Sequence, residues 1–270
     1  MQEMIRDYQI VEEIQKGAFC DSYKVKKNEK DYFLKRYKEP TPLSDDFRQF
    51  VDNQKMIGSL LDSLGDMTES IVEQFIDENG CLIQVKEYIK GQTLRDWMET
   101  NDDYDKRLDV AVQLCECMKA VHSVGIVLQE IKPENVMVVK NLSKKSGVRL
   151  VLIDFDWAVP NGNVVRYVGT PGYFNIDGND LSYKSDIFSL GIVLCELLTG
   201  GNPYIVDLMT NEERVYDPTE WVNWVKNKDF THPNQLNDEL SQSINDIIEK
   251  CLEPNPEDRP EIDEILEILN

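Results

Sequence analysis

The spacing of apolar residues along this chain changes character once, near residue 90. Before that point they alternate with polar residues in short runs, the pattern of strands that bury one face. Tyr8–Ile14 and Ser22–Lys26 are two such runs, rich in β-branched and aromatic residues, around the small-residue turn Lys16-Gly17-Ala18. Asn28-Glu29-Lys30 is a polar turn into a third strand, Tyr32–Tyr37, which Pro40 and Pro42 keep from continuing because proline lacks the ladder donor. Ser44-Asp45-Asp46 supplies cap-type side chains for a helix running to about Leu64, before Gly65. Its apolar positions Phe47, Phe50, Ile57, Leu61 and Leu64 form one stripe. Ile71–Asp77 and Cys81–Glu87 predict a hairpin across Asn79-Gly80, a dipeptide suited to the positive φ of tight turns. Beyond Thr93 the period becomes helical. Leu94–Glu99 predicts a short helix and Tyr104–Val121 a long amphipathic one. Val136–Lys140 and Arg149–Ile153 predict two short strands, followed by loop as far as Ser182. Ile187–Leu198 is apolar nearly all round and reads as a buried helix, with further helices expected over Trp221–Val225, Leu240–Cys251 and Glu261–Leu269.

A length of 270 residues suits one large domain or two small lobes, and the change of period selects two lobes in an α+β arrangement. Charge narrows the partners. With 29 Lys+Arg against 50 Asp+Glu the net charge is −21, so the surface repels phosphate backbones and anionic lipid and favours basic partners. The expected partner set therefore contains no nucleic acid and no membrane. No window approaches eighteen uncharged apolar residues, and the N-terminal residues carry no apolar run of the secretory type. The six cysteines show no C-x-x-C spacing, which predicts reduced, mostly buried thiols of a cytoplasmic protein.

The candidate chemistry lies in ordered short motifs. Glu130-Ile131-Lys132-Pro133-Glu134-Asn135 followed by Ile153-Asp154-Phe155-Asp156 resembles the catalytic loop and metal-binding segment of eukaryotic-type protein kinases of the Ser/Thr branch. Gly17-Ala18-Phe19 sits where that family has its glycine-rich phosphate loop, and Phe33-Leu34-Lys35 where it has its strand lysine. Gly169-Thr170-Pro171-Gly172-Tyr173 resembles the end of the activation segment, Ser185–Gly191 the helix that anchors the catalytic loop, and Asn255–Pro260 the closing arginine motif. Together these cover nearly the whole chain. The resemblance implies a bilobal fold in one domain over 1–270, with a β-rich N-lobe of one helix (1–87), a hinge (88–91) and a larger helical C-lobe (92–270).

It also implies an ATP- and Mg²⁺-dependent transfer of phosphate to Ser or Thr of a protein, and the acidic charge balance points to a basic substrate segment docking beside Thr170. Phosphoryl transfer is mostly positioning and charge neutralisation, which the residue types suit. Asn135 and Asp154 offer hard oxygens for Mg²⁺. Lys35 is expected at the α/β-phosphates, Lys132 at the transferring group, Glu130 at the substrate hydroxyl, and Gly17, Glu87 and Tyr88 along the nucleotide. By the same resemblance, Asp186 accepts hydrogen bonds from the catalytic-loop backbone and Arg259 pairs with Asp177.

Several positions depart from the family. Leu128-Gln129-Glu130 stands where the family has His-Arg-Asp, so the carboxylate reaches one methylene further and no arginine is present to receive a phosphate. No glutamate lies between Glu39 and Glu69, so the helix offers Lys35 only an amide, Asn53 or Gln54. Phe33 replaces an alanine against the adenine, and Gln15 and Cys20 replace loop glycines. Asp156 stands where glycine is usual, either as an added metal-binding acid or as an exposed one. Lys86 falls at the gate of the pocket and is expected to snorkel outward; turned inward, it would be a second phosphate-directed cation. An alternative function follows from these departures: a pseudokinase, serving as a nucleotide-binding or scaffolding domain.

Overall fold

The computed structural model of the chain describes residues 3–17, 19–38, 45–162, 170–178, 181–207, 212–214 and 217–270, with the side chains of 45–48, 207, 212 and 213 excepted. Ala18, Pro40, Pro42, Ser44, Tyr167 and Gly169 lie outside the described residues, as does the Phe47 side chain. The chain divides into two compact units, Met1–Lys90 and Gly91–Asn270.

The first unit is an antiparallel sheet of β1 (Met4–Ile5), β2 (Tyr8–Lys16), β3 (Cys20–Lys27), β4 (Lys30–Tyr37), β5 (Ile71–Ile76) and β6 (Leu82–Glu87), in the order β1-β2-β3-β4-β6-β5. Strand β1 has no counterpart in the sequence reading, since two residues show no period. Register decides which side chains share a face. Lys35 lies between Ser22 and Gln84, so its neighbours Leu34 and Arg36 leave the opposite side. Leu34 joins Tyr8, Tyr23, Val25, Ile83 and Val85 in one apolar core. The Tyr37 side packs with Leu82, Phe19, Phe50 and Val51, bringing in helix α1 (Asp45–Leu61). The Phe19, Tyr37 and Phe50 rings meet edge-on at 5.3–5.8 Å, a favoured aromatic geometry. The helix stops earlier than its apolar stripe suggests, because Gly65 adopts φ 62° inside a 3-10 segment over Asp62–Met67. At the β2–β3 turn a Cβ on Gly17 would sit 2.7 Å from the Cys20 carbonyl oxygen, which its own N–H bonds at 3.0 Å, so only glycine fits.

The second unit begins with β7 (Gln92–Thr93) and helices α2 (Leu94–Thr100) and α3 (Tyr104–Ser123). Thr93 and Asp96 form a capping box that starts α2, and the Asp103 carboxylate accepts the Lys106 N–H at 3.1 Å to start α3. Short strands β8 (Ile126–Val127), β9 (Val136–Lys140), β10 (Val148–Leu152) and β11 (Val159–Pro160) follow, pairing β10-β9-β7 and β11-β8. Helix α4 (Tyr183–Thr199), capped by Ser182 and ended by Gly200 at φ 85°, is buried at every residue from Ser185 to Leu198, as its all-round apolarity predicts. A small ladder of β12 (Val206–Asp207) and β13 (Glu212–Glu213) precedes α5 (Pro218–Asn227), α6 (Pro233–Leu236), α7 (Gln242–Cys251) and α8 (Ile262–Leu269). Helices α3, α4, α7 and α8 pack on one another around the core of the unit.

Gly191 sets how closely α4 and α7 approach: a Cβ there would lie 2.5 Å from the Cys251 Cβ and 3.2 Å from Leu252 Cδ2. Alanine would improve helix propensity by about 1 kcal/mol, but overpacking costs about 1–3 kcal/mol, so Gly191→Ala is expected to destabilise this unit. Thermal unfolding should show a midpoint lowered by several degrees; an unchanged or raised midpoint would contradict the close approach. All six cysteines are free thiols, and burial pushes those of Cys195 and Cys251 up to about 12, which keeps them inert at neutral pH.

Candidate active site

In the second unit the site is built around Asp186 at the start of α4. Its carboxylate accepts the Leu128 N–H at Oδ2 and the Gln129 N–H at Oδ1, both at 2.8 Å, and meets His122 Nε2 at 2.9 Å. These bonds hold the loop between β8 and β9 while Gln129 sits at φ 66°, a conformation that side-chain-bearing residues keep only when their surroundings fix it. The Gln129 amide is buried and donates to the Trp157 carbonyl at 2.6 Å. The residue that replaces the family's arginine thus ties the loop to the segment after Asp154 by a neutral bond.

The loop carries Glu130, Lys132 and Asn135 forward. Lys132 Nζ donates to Glu130 Oε1 at 2.8 Å and to Thr170 Oγ1 at 2.7 Å, and the Thr170 hydroxyl donates to the same carboxylate oxygen. Three residues spread over forty positions therefore meet in one cluster. Asn135 is buried, and its Nδ2 donates to the Glu130 carbonyl at 3.1 Å. That bond fixes the amide so that Oδ1 is the atom it presents. The Ile153 N–H bonds the Asn135 carbonyl at 2.9 Å, placing Asp154 beside Asn135 with φ 66°.

One carboxylate and one amide oxygen suit Mg²⁺, which is commonly held by one or two carboxylates plus substrate phosphates rather than by a full protein cage. No group of three or more His, Cys, Asp or Glu arranged for a metal occurs among the described residues. Asp156 is buried at 6% exposure, which removes its exposed alternative.

In the first unit Lys35 is buried on β4, opposite Gln84. Of the two candidate amides on α1, Gln54 faces the sheet: it is buried, and its Oε1 accepts from Gln84 Nε2 at 3.0 Å, while Gln84 Oε1 accepts the Tyr37 hydroxyl at 2.8 Å. Asn53 is only half-buried. Lys86 does not snorkel outward. It is 2% exposed and donates to the buried Glu69 at 2.6 Å, because a carboxylate from the segment after α1 compensates its charge inside the unit. Glu87 is exposed and pairs with Lys30 at 2.9 Å, and Lys24 Nζ lies 4.6 Å from the centre of the Tyr88 ring.

Two features have no local signal in the sequence. Arg95 on α2 donates to Glu134 at 2.9 Å, to Glu196 at 2.7 Å and to the Tyr173 hydroxyl, joining the catalytic loop, α4 and the segment after Thr170. No spacing rule links position 95 with 196. His122 likewise reads only as a helix-end residue, yet it stacks on Tyr183 at 4.6 Å and holds Asp186. The pairing expected for Arg259 and Asp177 is present, bidentate at 2.7 Å for both bonds.

A sheet unit with one helix, followed by a helical unit whose buried aspartate organises a Glu-x-Lys-x-x-Asn loop, defines the protein-kinase fold. A protein kinase domain profile matches residues 8–268, and the chain belongs to that family. It is 28% identical over 276 residues to a probable serine/threonine-protein kinase of Clostridium acetobutylicum, covering 97% of this chain and 39% of that protein. It is 28% identical over 183 residues to serine/threonine-protein kinase PknB of Mycolicibacterium smegmatis, covering 65% of this chain and 28% of that protein. A probable serine/threonine-protein kinase of Clostridium perfringens is 23% identical over 263 residues, 93% of this chain and 36% of that protein. The chain spans little more than a third of the length of these relatives at most. No helix among the described residues is long and apolar enough to cross a membrane.

Proposed function

We propose that this chain is an ATP- and Mg²⁺-dependent protein kinase domain that transfers the γ-phosphate to Ser or Thr of a protein substrate. The observation that carries this reading is the cluster in which Lys132 joins the Glu130 carboxylate to the Thr170 hydroxyl. A carboxylate, an ammonium and a hydroxyl meeting in one cluster support this reading, because catalysis of phosphoryl transfer is largely positioning. The names of the relatives agree with it. Bound Mg²⁺ neutralises the charge that spreads over the phosphates. Asn135 and Asp154 hold it, Lys35 contacts the α/β-phosphates, and Gly17, Glu87 and Tyr88 line the nucleotide. Glu130 orients the substrate hydroxyl and accepts its proton, and Lys132 stabilises the transferred group. The net charge of −21 favours a basic substrate segment beside Thr170.

A second reading has its own support. The Glu130 carboxylate already accepts bonds from Lys132 and Thr170, an arrangement that also serves a nucleotide-binding or scaffolding pseudokinase. Thermal shift with ATP and Mg²⁺, together with phosphate transfer to a generic basic protein, separates the two. A kinase shows both a raised midpoint and transfer, and Asp154→Ala abolishes both. A raised midpoint with no transfer leaves the pseudokinase, and neither effect in the wild type overturns nucleotide-dependent function altogether.

A further inference from the structure

The turn between β2 and β3 is held from outside itself, by the residue that follows β4. Lys38 comes directly after Tyr37, the last residue of that strand, and meets the turn three times. Its N–H donates to the Phe19 carbonyl at 2.9 Å, its Nζ donates to the Gly17 carbonyl at 2.8 Å, and the same ammonium lies 2.7 Å from Asp21 Oδ1. Lys16 and Arg36, which stand opposite Asp21 in the sheet, pair with Glu13 and Asp77 at 2.9 Å each, and Asp21 pairs with Lys38. Two more contacts fix the same turn. The Gly17 N–H donates to the Cys20 carbonyl at 3.0 Å, and the Phe19 ring packs edge-on against Tyr37 and Phe50. In a turn that closes on itself the first carbonyl accepts the fourth N–H. At Gly17 that oxygen is held by a lysine twenty-one residues away.

We propose that Lys38 is a positioning residue of the phosphate loop: it latches the β2–β3 turn, so that the nucleotide phosphates meet a backbone already set. The proposal deepens the nucleotide-binding role given to Gly17 and rests on that reading for its consequence at ATP. Two physical reasons support it. Backbone freedom lost on binding is subtracted from affinity, and a loop fixed beforehand has less to lose. A loop carbonyl also repels phosphate oxygens; an ammonium on the Gly17 oxygen both fixes that negative end and compensates it. Glycines leave such a loop free to shape itself around the ligand. Here Gln15 and Cys20 stand at two of their places, and contacts with Lys38 supply the shape.

The test uses the full chain and begins without nucleotide. Hydrogen exchange of the Gly17 amide, followed by NMR, should be on the order of tenfold faster in Lys38→Met, because one charged hydrogen bond fewer holds the turn. In Lys38→Arg it should stay near the wild-type rate, since charge and donors are kept. With ligand, Lys38→Met should bind ATP with Mg²⁺ about five- to tenfold more weakly, the worth of one hydrogen bond. Adenosine, which carries no phosphate, should bind Lys38→Met as it binds the wild type. A role in packing alone would weaken both ligands alike. The proposal is overturned if the Gly17 amide keeps its wild-type exchange rate in Lys38→Met, if ATP and adenosine lose affinity together, or if Lys38→Arg behaves as Lys38→Met does. Should the wild type bind neither ATP nor adenosine, the nucleotide reading falls, while the exchange rates still judge the latch.

Discussion

Replacing Glu130 by glutamine should lower phosphate transfer by about 10²–10⁴-fold, the usual contribution of a positioned general base, while ATP affinity stays near the wild-type value. Chemistry and architecture are separable at this residue. The side-chain carboxylate meets Lys132 and Thr170, but Asn135 is held by the Glu130 backbone carbonyl. Glutamine keeps the shape and that carbonyl, so the Asn135 amide stays in place. What changes is the acceptor: an amide cannot take the hydroxyl proton, and its NH₂ can end up facing the Lys132 ammonium. Steady-state transfer to a generic basic protein, paired with nucleotide titration, checks this. Equal rates for wild type and Glu130→Gln, alongside loss in Asp154→Ala, would show that the carboxylate takes no part in the reaction.

The second large effect is on stability. Arg259→Ala should cost about 3–5 kcal/mol, the range for breaking one side of a buried ion pair. Both partners are fully buried, with Arg259 and Asp177 side chains at 0% exposure. All five guanidinium N–H groups are used: two on the Asp177 oxygens, one each on the carbonyls of Lys184, Glu253 and Pro254. The guanidinium also lies 5.0 Å from the centre of the Phe188 ring. Alanine leaves Asp177 in the interior with the Ser185 hydroxyl, at 2.8 Å, as its remaining side-chain partner among the described residues, and three carbonyls without the guanidinium donor. Lysine would not repair this, having three donors on a point charge where five in a planar fork are used. Denaturant unfolding of the second unit measures the loss, and a cost below about 1 kcal/mol would place the pair among interactions of surface strength.

Much of the molecule is legible in its residues. The hairpin across Asn79-Gly80, the capped helices α2 and α4 and the nearly all-round apolar stretch Ile187–Leu198 follow from local chemistry, which acts between residues a few positions apart. The bonds of Asp186 and Arg259 were also accessible, because their motifs carry the same partners wherever the fold recurs. Lys86 was not. Read by its type it belongs at the surface, and nothing near it in sequence announces the carboxylate that allows its burial, since Glu69 is seventeen residues away. The choice between Asn53 and Gln54 was equally closed to the sequence. Adjacent helical positions differ by about 100° in direction, and only the placement of α1 on the sheet tells which amide meets Gln84.

The sequence by itself determined the two units and their longer strands and helices, because periodicity and motif order are properties of short stretches of chain. It determined also that α1 carries no glutamate for Lys35. Only the tertiary structure decided the partners that no motif announces. Pairings such as Lys86 with Glu69, Lys132 with Thr170 and Arg95 with Glu196 join distant segments, and burial makes each charge require a partner wherever the fold supplies one.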